Sequence, residues 1–337
     1  MIYGHGDDSY NFDDIHINFS SNVNPLGINE GLKAHLNSCL NRLGSYPEPL
    51  ANCLARTIEQ QKELSMGSVL ITNGAVEAIY LLASLFQKKK SLIYTPSFSE
   101  YEDACRMYNH DIIFCSNLQF PKKIGSDIDI VWICNPNNPD GSVFNKEILK
   151  EQITQHSNTL FIIDEAYADF INDDISLIKE ATQLPNLVVI RSLTKRFAIP
   201  ALRLGYLVCA PKIMGKVKQM LMPWRINELA IEAGLYCFSE KYVDSFSLAE
   251  FLLESQRFQY EINQLNNFEV IPSPSSFFLV ESNIPATTIK TELIKHHGIL
   301  IRDASNFRGL SPYHFRLSTQ SAGANNKLIT ILKTWNF

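Results

Sequence analysis

The stretch Arg191-Ser-Leu-Thr-Lys-Arg-Phe-Ala-Ile-Pro-Ala-Leu-Arg-Leu-Gly-Tyr206 decides how this chain is read. One apolar run, Leu187 to Ile190, leads into it, and a second, Leu204 to Val208, leaves it. Between them lie Ser192, Thr194, the adjacent Lys195 and Arg196, and Arg203. A short polar loop between two buried strands is where a rigid scaffold presents reactive groups. An amine held there needs an anionic or covalent partner. Taken alone, the same pattern also fits a solvated basic loop beside a strand.

The neighbouring sequence repeats the arrangement. Apolar runs recur at 91–94, 111–115, 129–134, 159–163, 187–190 and 204–209, separated by helical patterns at 99–109, 146–156 and 211–221. The runs are near-continuous and rich in Ile and Val, as strands of a parallel sheet buried on both faces are. Polar motifs follow the strands: Thr95-Pro-Ser-Phe98, Asn135-Pro-Asn-Asn-Pro139, Asp164-Glu-Ala-Tyr167 and the Lys195 loop. In open parallel sheets ligands bind outside the carboxyl ends of strands, so the four motifs are expected to converge on one sheet edge. Upstream, Val69 to Tyr80 reads as a strand, a Gly turn and a helix. The free N–H groups of Gly74, Ala75 and Val76 at that helix start make a phosphate cradle. The division expected is an extended arm over 1–24, a large α/β domain over 25–225 and a smaller α+β domain over 226–337. The small domain is expected to carry strands near 268–271, 276–280, 299–301 and 314–318.

Composition limits the function classes. The chain has 337 residues, 45% hydrophobic and 19% charged, with a formal net charge of −5. That is a soluble globular composition, and the charge argues against a nucleic-acid binder. Seven cysteines without C-x-x-C spacing read as reduced core thiols of a cytoplasmic protein, with neither a disulfide frame nor a zinc site expected. The acidic N-terminus is unlike a signal peptide, and no apolar run reaches membrane-spanning length. His5, Asp7, Asp8, Asp13, Asp14 and His16 have spacing that fits no helical or hairpin metal site, so no metal is expected. The arm is instead expected to tuck His5 and Gly6 into a site.

These residues suit pyridoxal phosphate, an electron sink for bond cleavage at an amino acid's Cα. Lys195 can join its aldehyde as a Schiff base. Asp164 can hold a proton on the ring nitrogen, Asn138 and Tyr167 can bond the ring hydroxyl, and Phe98 can stack on the ring. Residues 74–76, Ser192 and Arg203 can take the phosphate. Arg316, in His314-Phe-Arg-Leu-Ser318, can hold a substrate carboxylate, with Arg302 and Arg308 as further anion anchors. Three arginines within fifteen residues point to a substrate with two anionic groups.

Asn135-Pro-Asn-Asn-Pro139, Asp164-Glu-Ala-Tyr167 and Ser192-Leu-Thr-Lys195 with Leu202-Arg-Leu-Gly-Tyr206 resemble the class I/II aminotransferases of fold type I, over nearly the whole chain. Three stretches resemble threonine-phosphate decarboxylases more than histidinol-phosphate aminotransferases. They are His5-Gly6 with Asn18 to Gly27, Met222 to Asn227, and Ile299 to Phe307 with Gly309-Leu310. The resemblance implies a mostly parallel central sheet flanked by helices and a homodimer with shared active sites. It implies Lys195 as the Schiff-base lysine and Asp164 as the ring-nitrogen partner. Tyr46 would reach the cofactor phosphate from the neighbouring subunit. Arg316 would hold the substrate carboxylate, and Arg302, His5 and Asn24 would lie near a substrate phosphate. The expected reaction is decarboxylation of phosphothreonine or phosphoserine, with histidinol-phosphate-type transamination as the alternative. Two positions and one segment depart from the family pattern: Asp140 replaces the usual Thr, Ala201 replaces a common Gly, and the segment from 115 to 129 is short.

Overall fold

A computed structural model describes residues 7–120 and 124–334. Its centre is a seven-stranded sheet. In spatial order the strands are Val69–Thr72, Gly205–Cys209, Leu187–Ser192, Leu160–Asp164, Ile130–Cys134, Lys90–Thr95 and Asp111–Ser116. All neighbours pair in parallel except along Gly205–Cys209, which runs antiparallel to both its partners. Every residue of Ile130–Cys134, Leu160–Asp164 and Leu187–Ser192 is buried.

The burial has a simple period. Val131, Ile133, Phe161, Ile163 and Val189 enter one core, while Ile130, Trp132, Ile162, Val188 and Ile190 enter the other. Successive strand side chains point to opposite faces, so a strand covered on both sides must be apolar throughout. At about 1.5–3 kcal/mol per fully buried aliphatic or aromatic side chain, this layer anchors the fold. Asp111–Ser116, at the sheet edge, is the exception, with Asp111, Ile113 and Ser116 exposed.

A second, four-stranded sheet orders Arg302–Asp303, His314–Ser318, Phe277–Ser282 and Phe268–Ile271, all antiparallel. It packs with the helices Leu248–Asn263, Ala286–His297 and Ala322–Thr334 around a core containing Phe258, Phe278, Leu293 and Phe315. The arm belongs to this lobe. Ile17–Asn18 pairs in parallel with Ile299–Leu300, and Phe19 is buried in the small core. Packing also moves the expected boundary at 225/226. Ile226, Ala230 and Ile231 enter the large core, so the helix Glu228–Cys237 sits with the first lobe. Among the described residues no helix is long and apolar enough to cross a membrane.

Candidate active site

The parallel strands all end on one edge, and a cavity of about 310 Å³ opens there between the two lobes and the arm. Asn138, Asp164, Tyr167, Ser192 and Lys195, each on or just past a strand end, line one wall. Ala75, Val76 and Arg203 line the floor, Phe98 another side, and Arg302 and Arg316 the wall given by the small lobe.

Asp164 is the last residue of its strand and is buried. Its Oδ2 accepts a hydrogen bond from the Tyr101 hydroxyl at 2.8 Å, and its Oδ1 accepts the Ala166 N–H at 3.0 Å. Burial pushes its pKa up, and these two donors, with the charges of Lys195 and Arg191, oppose the rise. A cation placed against Asp164 would keep it ionised. Tyr101 is itself fixed, stacked on Trp132 at 5.8 Å and edge-on to Phe98 at 5.9 Å.

The Lys195 amine lies 5.9 Å from the Tyr167 ring centroid. Desolvation first, then the charges of Arg316 and Arg203, lowers its pKa to about 8, against the pull of Asp7 and Asp164. An amine so placed is a nucleophile near neutral pH. Burial pushes the Tyr167 phenol up to about 12.

The floor is shaped for a bulky anion. The helix Gly74–Leu85 starts at the end of the first strand, and Gly74 adopts φ +77°. A Cβ there would lie 2.6 Å from Nη2 of Arg203, and one at Gly205 would lie 2.9 Å from the Ala75 nitrogen. Only backbone without side chains lets the helix start and the guanidinium approach so closely. The Ser192 and Thr194 hydroxyls, 2.8 Å apart, complete this end.

At the other end, Arg302 and Arg316 are direct partners across two antiparallel strands. Like charges directly opposite repel. Arg316 is buried, and its guanidinium donates to Oδ1 of Asn138 and to the Ser20 carbonyl. Among the described residues it has no carboxylate partner, and its Nε has no hydrogen bond. Burial, with Arg302 adding to it, lowers the Arg316 pKa to about 10. An uncompensated buried cation is costly unless an anion completes it. Arg302 donates to Oδ1 of Asn306 at 2.8 Å and to the Asp303 carbonyl.

The model of the aminotransferase class I and II family matches residues 14–333. The chain belongs to this family. A threonine-phosphate decarboxylase of Salmonella typhimurium is 29% identical over 330 residues, covering 94% of this chain and 90% of its own. The crystal structure of L-threonine-O-3-phosphate decarboxylase from Porphyromonas gingivalis superposes with a TM-score of 0.91 at 34% identity, covering 94% of this chain and 98% of that one. That of the histidinol-phosphate aminotransferase from Clostridium acetobutylicum gives 0.85 at 32%, with the same coverage. The family's cofactor is pyridoxal 5′-phosphate, and the cavity fits it. It offers an anion floor, a buried carboxylate, an aromatic side wall and a lysine with a lowered pKa.

For this aminotransferase-family chain, most residues singled out in the sequence meet in the cavity, and some do not. His5 and Gly6 lie outside the described residues. Asn24 is placed away from the cavity: its side chain donates to the Arg196 carbonyl at 3.1 Å and accepts the Leu26 N–H at 3.0 Å. Its backbone N–H bonds the Lys195 carbonyl, so it braces the lysine loop from behind. Asn22, two residues earlier, lines the cavity within hydrogen-bonding reach of Tyr167. Arg308 is also elsewhere, paired through two nitrogens with the buried Glu102 at 2.7 and 3.0 Å and lying over Phe114 at 4.0 Å. Tyr46 is 85% exposed, packed on Trp224, and does not line the cavity of its own chain. Asp140 closes its own turn, accepting from Asn137, the Ser142 N–H and the Ser142 hydroxyl at 2.8–3.0 Å. Its charge is therefore spent locally.

Sequence reasoning missed Asn22, Ser20, Tyr101 and Asp7, all of which line the cavity. Tyr101 had a readable signal: it stands three residues after Phe98 at a helix start, one turn along the same face. Asn22 had none beyond its place in Ser20-Ser-Asn-Val-Asn24, where either Asn could have faced inward.

Proposed function

We propose that this chain decarboxylates an O-phospho-L-amino acid, phosphothreonine or phosphoserine, to the corresponding amino-alcohol phosphate. The observation that carries this reading is the register pairing of Arg302 with Arg316 on the wall facing Lys195. A guanidinium pair at one end of a cavity suits a substrate with two anionic groups, a carboxylate and a phosphate. Histidinol phosphate carries only the second, while the 2-oxoglutarate of transamination carries two carboxylates, so the assay below separates the two reactions.

The roles follow from placement. Lys195 would hold the cofactor, and Asp164, steadied by Tyr101, would keep a proton on its ring nitrogen. Asn138 and Tyr167 would hold the ring hydroxyl, and Ala75, Val76, Ser192, Thr194 and Arg203 its phosphate. When bound, pyridoxal phosphate accepts into its ring the electron pair left at the substrate Cα. Arg316 would hold the substrate carboxylate, the group that leaves as carbon dioxide. Lys195 would supply the proton that replaces it at Cα. Arg302 and the arm hold the substrate phosphate. Tyr46, exposed beside Trp224, would serve the cofactor phosphate of a second copy in a homodimer. Seven free cysteines, six of them buried, suit a reducing cytoplasm.

Transamination of a histidinol-phosphate-type substrate is the second reading, favoured by the likeness to the C. acetobutylicum enzyme. One assay separates them. The holoenzyme is supplied with phosphothreonine or phosphoserine and no oxo-acid, and carbon dioxide is measured. Release at one mole per mole of substrate consumed is expected. No release, together with glutamate formed from 2-oxoglutarate and histidinol phosphate, would overturn decarboxylation.

A further inference from the structure

The helices Glu30–Ser38 and Glu228–Cys237 cross on the outside of the large lobe. Three donors of metal-ligating type meet between them: Nε2 of His35, Sγ of Cys39 and Oε2 of Glu232, all within 4.8 Å of one another. The separations are 3.0 Å from nitrogen to oxygen, 3.6 Å from sulfur to oxygen and 3.7 Å from sulfur to nitrogen. Tetrahedral zinc, about 2.3 Å from sulfur and about 2.0–2.2 Å from nitrogen and oxygen, sets its ligands roughly 3.4–3.6 Å apart. The triangle is one face of that tetrahedron to within a few tenths of an ångström.

The surroundings fit as well. His35 and Cys39 are four residues apart, which puts both on one side of a helix. The Arg42 guanidinium holds the other oxygen of Glu232 and also reaches Glu228 at 3.4 Å. That leaves Oε2 turned towards the histidine and the thiol. The His35 ring is stacked on Tyr236 at 4.9 Å and 25°. Outer contacts of this kind orient metal ligands. Two carboxylates and a thiolate against one guanidinium leave two negative charges, matching a divalent cation. With one sulfur, one imidazole and one oxygen, the set favours zinc over magnesium or calcium. Cys39 and Glu232 are buried, while the His35 side chain is 27% exposed and leaves a path for a water as fourth ligand.

We propose that His35, Cys39 and Glu232 form a zinc site that ties the end of the helix Glu30–Ser38 to the helix Glu228–Cys237. None of the three lines the cavity, so the proposal is independent of the cofactor and of the reaction. Cysteine spacing alone could not show it, because Cys39 and Glu232 are 193 positions apart.

The test uses the chelator-washed holoenzyme, with zinc as the only added metal. Expected are one zinc per chain, an X-ray absorption spectrum with one sulfur at about 2.3 Å among nitrogen and oxygen ligands, and a melting temperature that rises with zinc. In Cys39→Ser and His35→Gln the zinc dissociation constant should rise by more than about 100-fold, beyond what losing an outer contact costs. The melting shift should vanish in both. Circular dichroism checks that each variant is folded, and His35→Gln, at a partly exposed position, remains decisive if Cys39→Ser does not fold. A ligand shell without sulfur, or zinc bound as tightly by folded His35→Gln as by the parent, overturns the proposal.

Discussion

The two ends of the cavity were built in different ways. The cofactor end is made by the terminal residues of consecutive parallel strands: Asp164 and Ser192 close theirs, and Asn138, Tyr167 and Lys195 follow within four residues. The proposed substrate end is assembled from pieces far apart in sequence. Arg302 and Arg316 come from a second sheet, and Ser20, Asn22 and Asp7 come from an arm tied to that sheet's lobe. At the first end the polar groups partner one another, as Asp164 does with Tyr101 and Ser192 with Thr194. At the second, Arg316 has no carboxylate partner and its Nε no hydrogen bond among the described residues. One end is built within a single sheet, and the other from two lobes and an arm.

The sharpest way to break this contrast is to empty the cofactor end. Lys195→Ala should lower turnover by at least about 10⁴-fold and abolish borohydride-trappable cofactor, since it removes both the tether and the proton carrier. Retained colour and turnover would show that the lysine does neither. Arg316→Ala should leave the colour intact and cut kcat/KM by about 10²–10³-fold, as losing a charge-assisted contact to a carboxylate does. Loss of colour instead would move Arg316 to the cofactor end.

The lysine also predicts a pH profile. Its folded pKa lies near 8, below the ordinary lysine value, because burial and two arginines disfavour the charged form. Cofactor uptake by the cofactor-free protein needs the neutral amine, so it should rise with pH around a midpoint near 8 and be about 100-fold slower at pH 6 than at pH 9. The same depression means that the unfolded chain binds the extra proton between pH 8 and the ordinary lysine value. Stability of the cofactor-free protein should therefore increase over that window. A midpoint above pH 10, followed by absorbance, would remove the electrostatic account.

The smallest effects separate neighbours. Asn22→Ala should raise KM by roughly tenfold, about the loss of one hydrogen bond to a charged group. Arg308→Ala should change kcat/KM by less than about threefold and act on stability through Glu102 instead. If Arg308→Ala matched Arg316→Ala in kinetic assays, the substrate end would have been drawn too narrowly.

Legibility followed the same division. The parallel sheet and the Lys195, Asp164 and Asn138 positions could be read because a strand buried on both faces leaves an unbroken apolar run, and the polar residue that ends or follows it falls at the sheet edge. Choosing Asn22 over Asn24 needed the direction of each side chain, which local spacing does not encode there. The lobe boundary was misplaced by one helix because an apolar face at Ile226, Ala230 and Ile231 looks the same whichever core receives it.

Sequence by itself therefore determined the sheet, the order of motifs along its edge and the residues that end its strands, since hydrophobic period and chain direction are local properties. Only the tertiary structure decided which arginines meet across a register, which asparagine faces inward, and that a histidine, a cysteine and a glutamate from two distant helices converge. Those contacts arise from packing two lobes and an arm against each other, and separation along the chain carries no record of it.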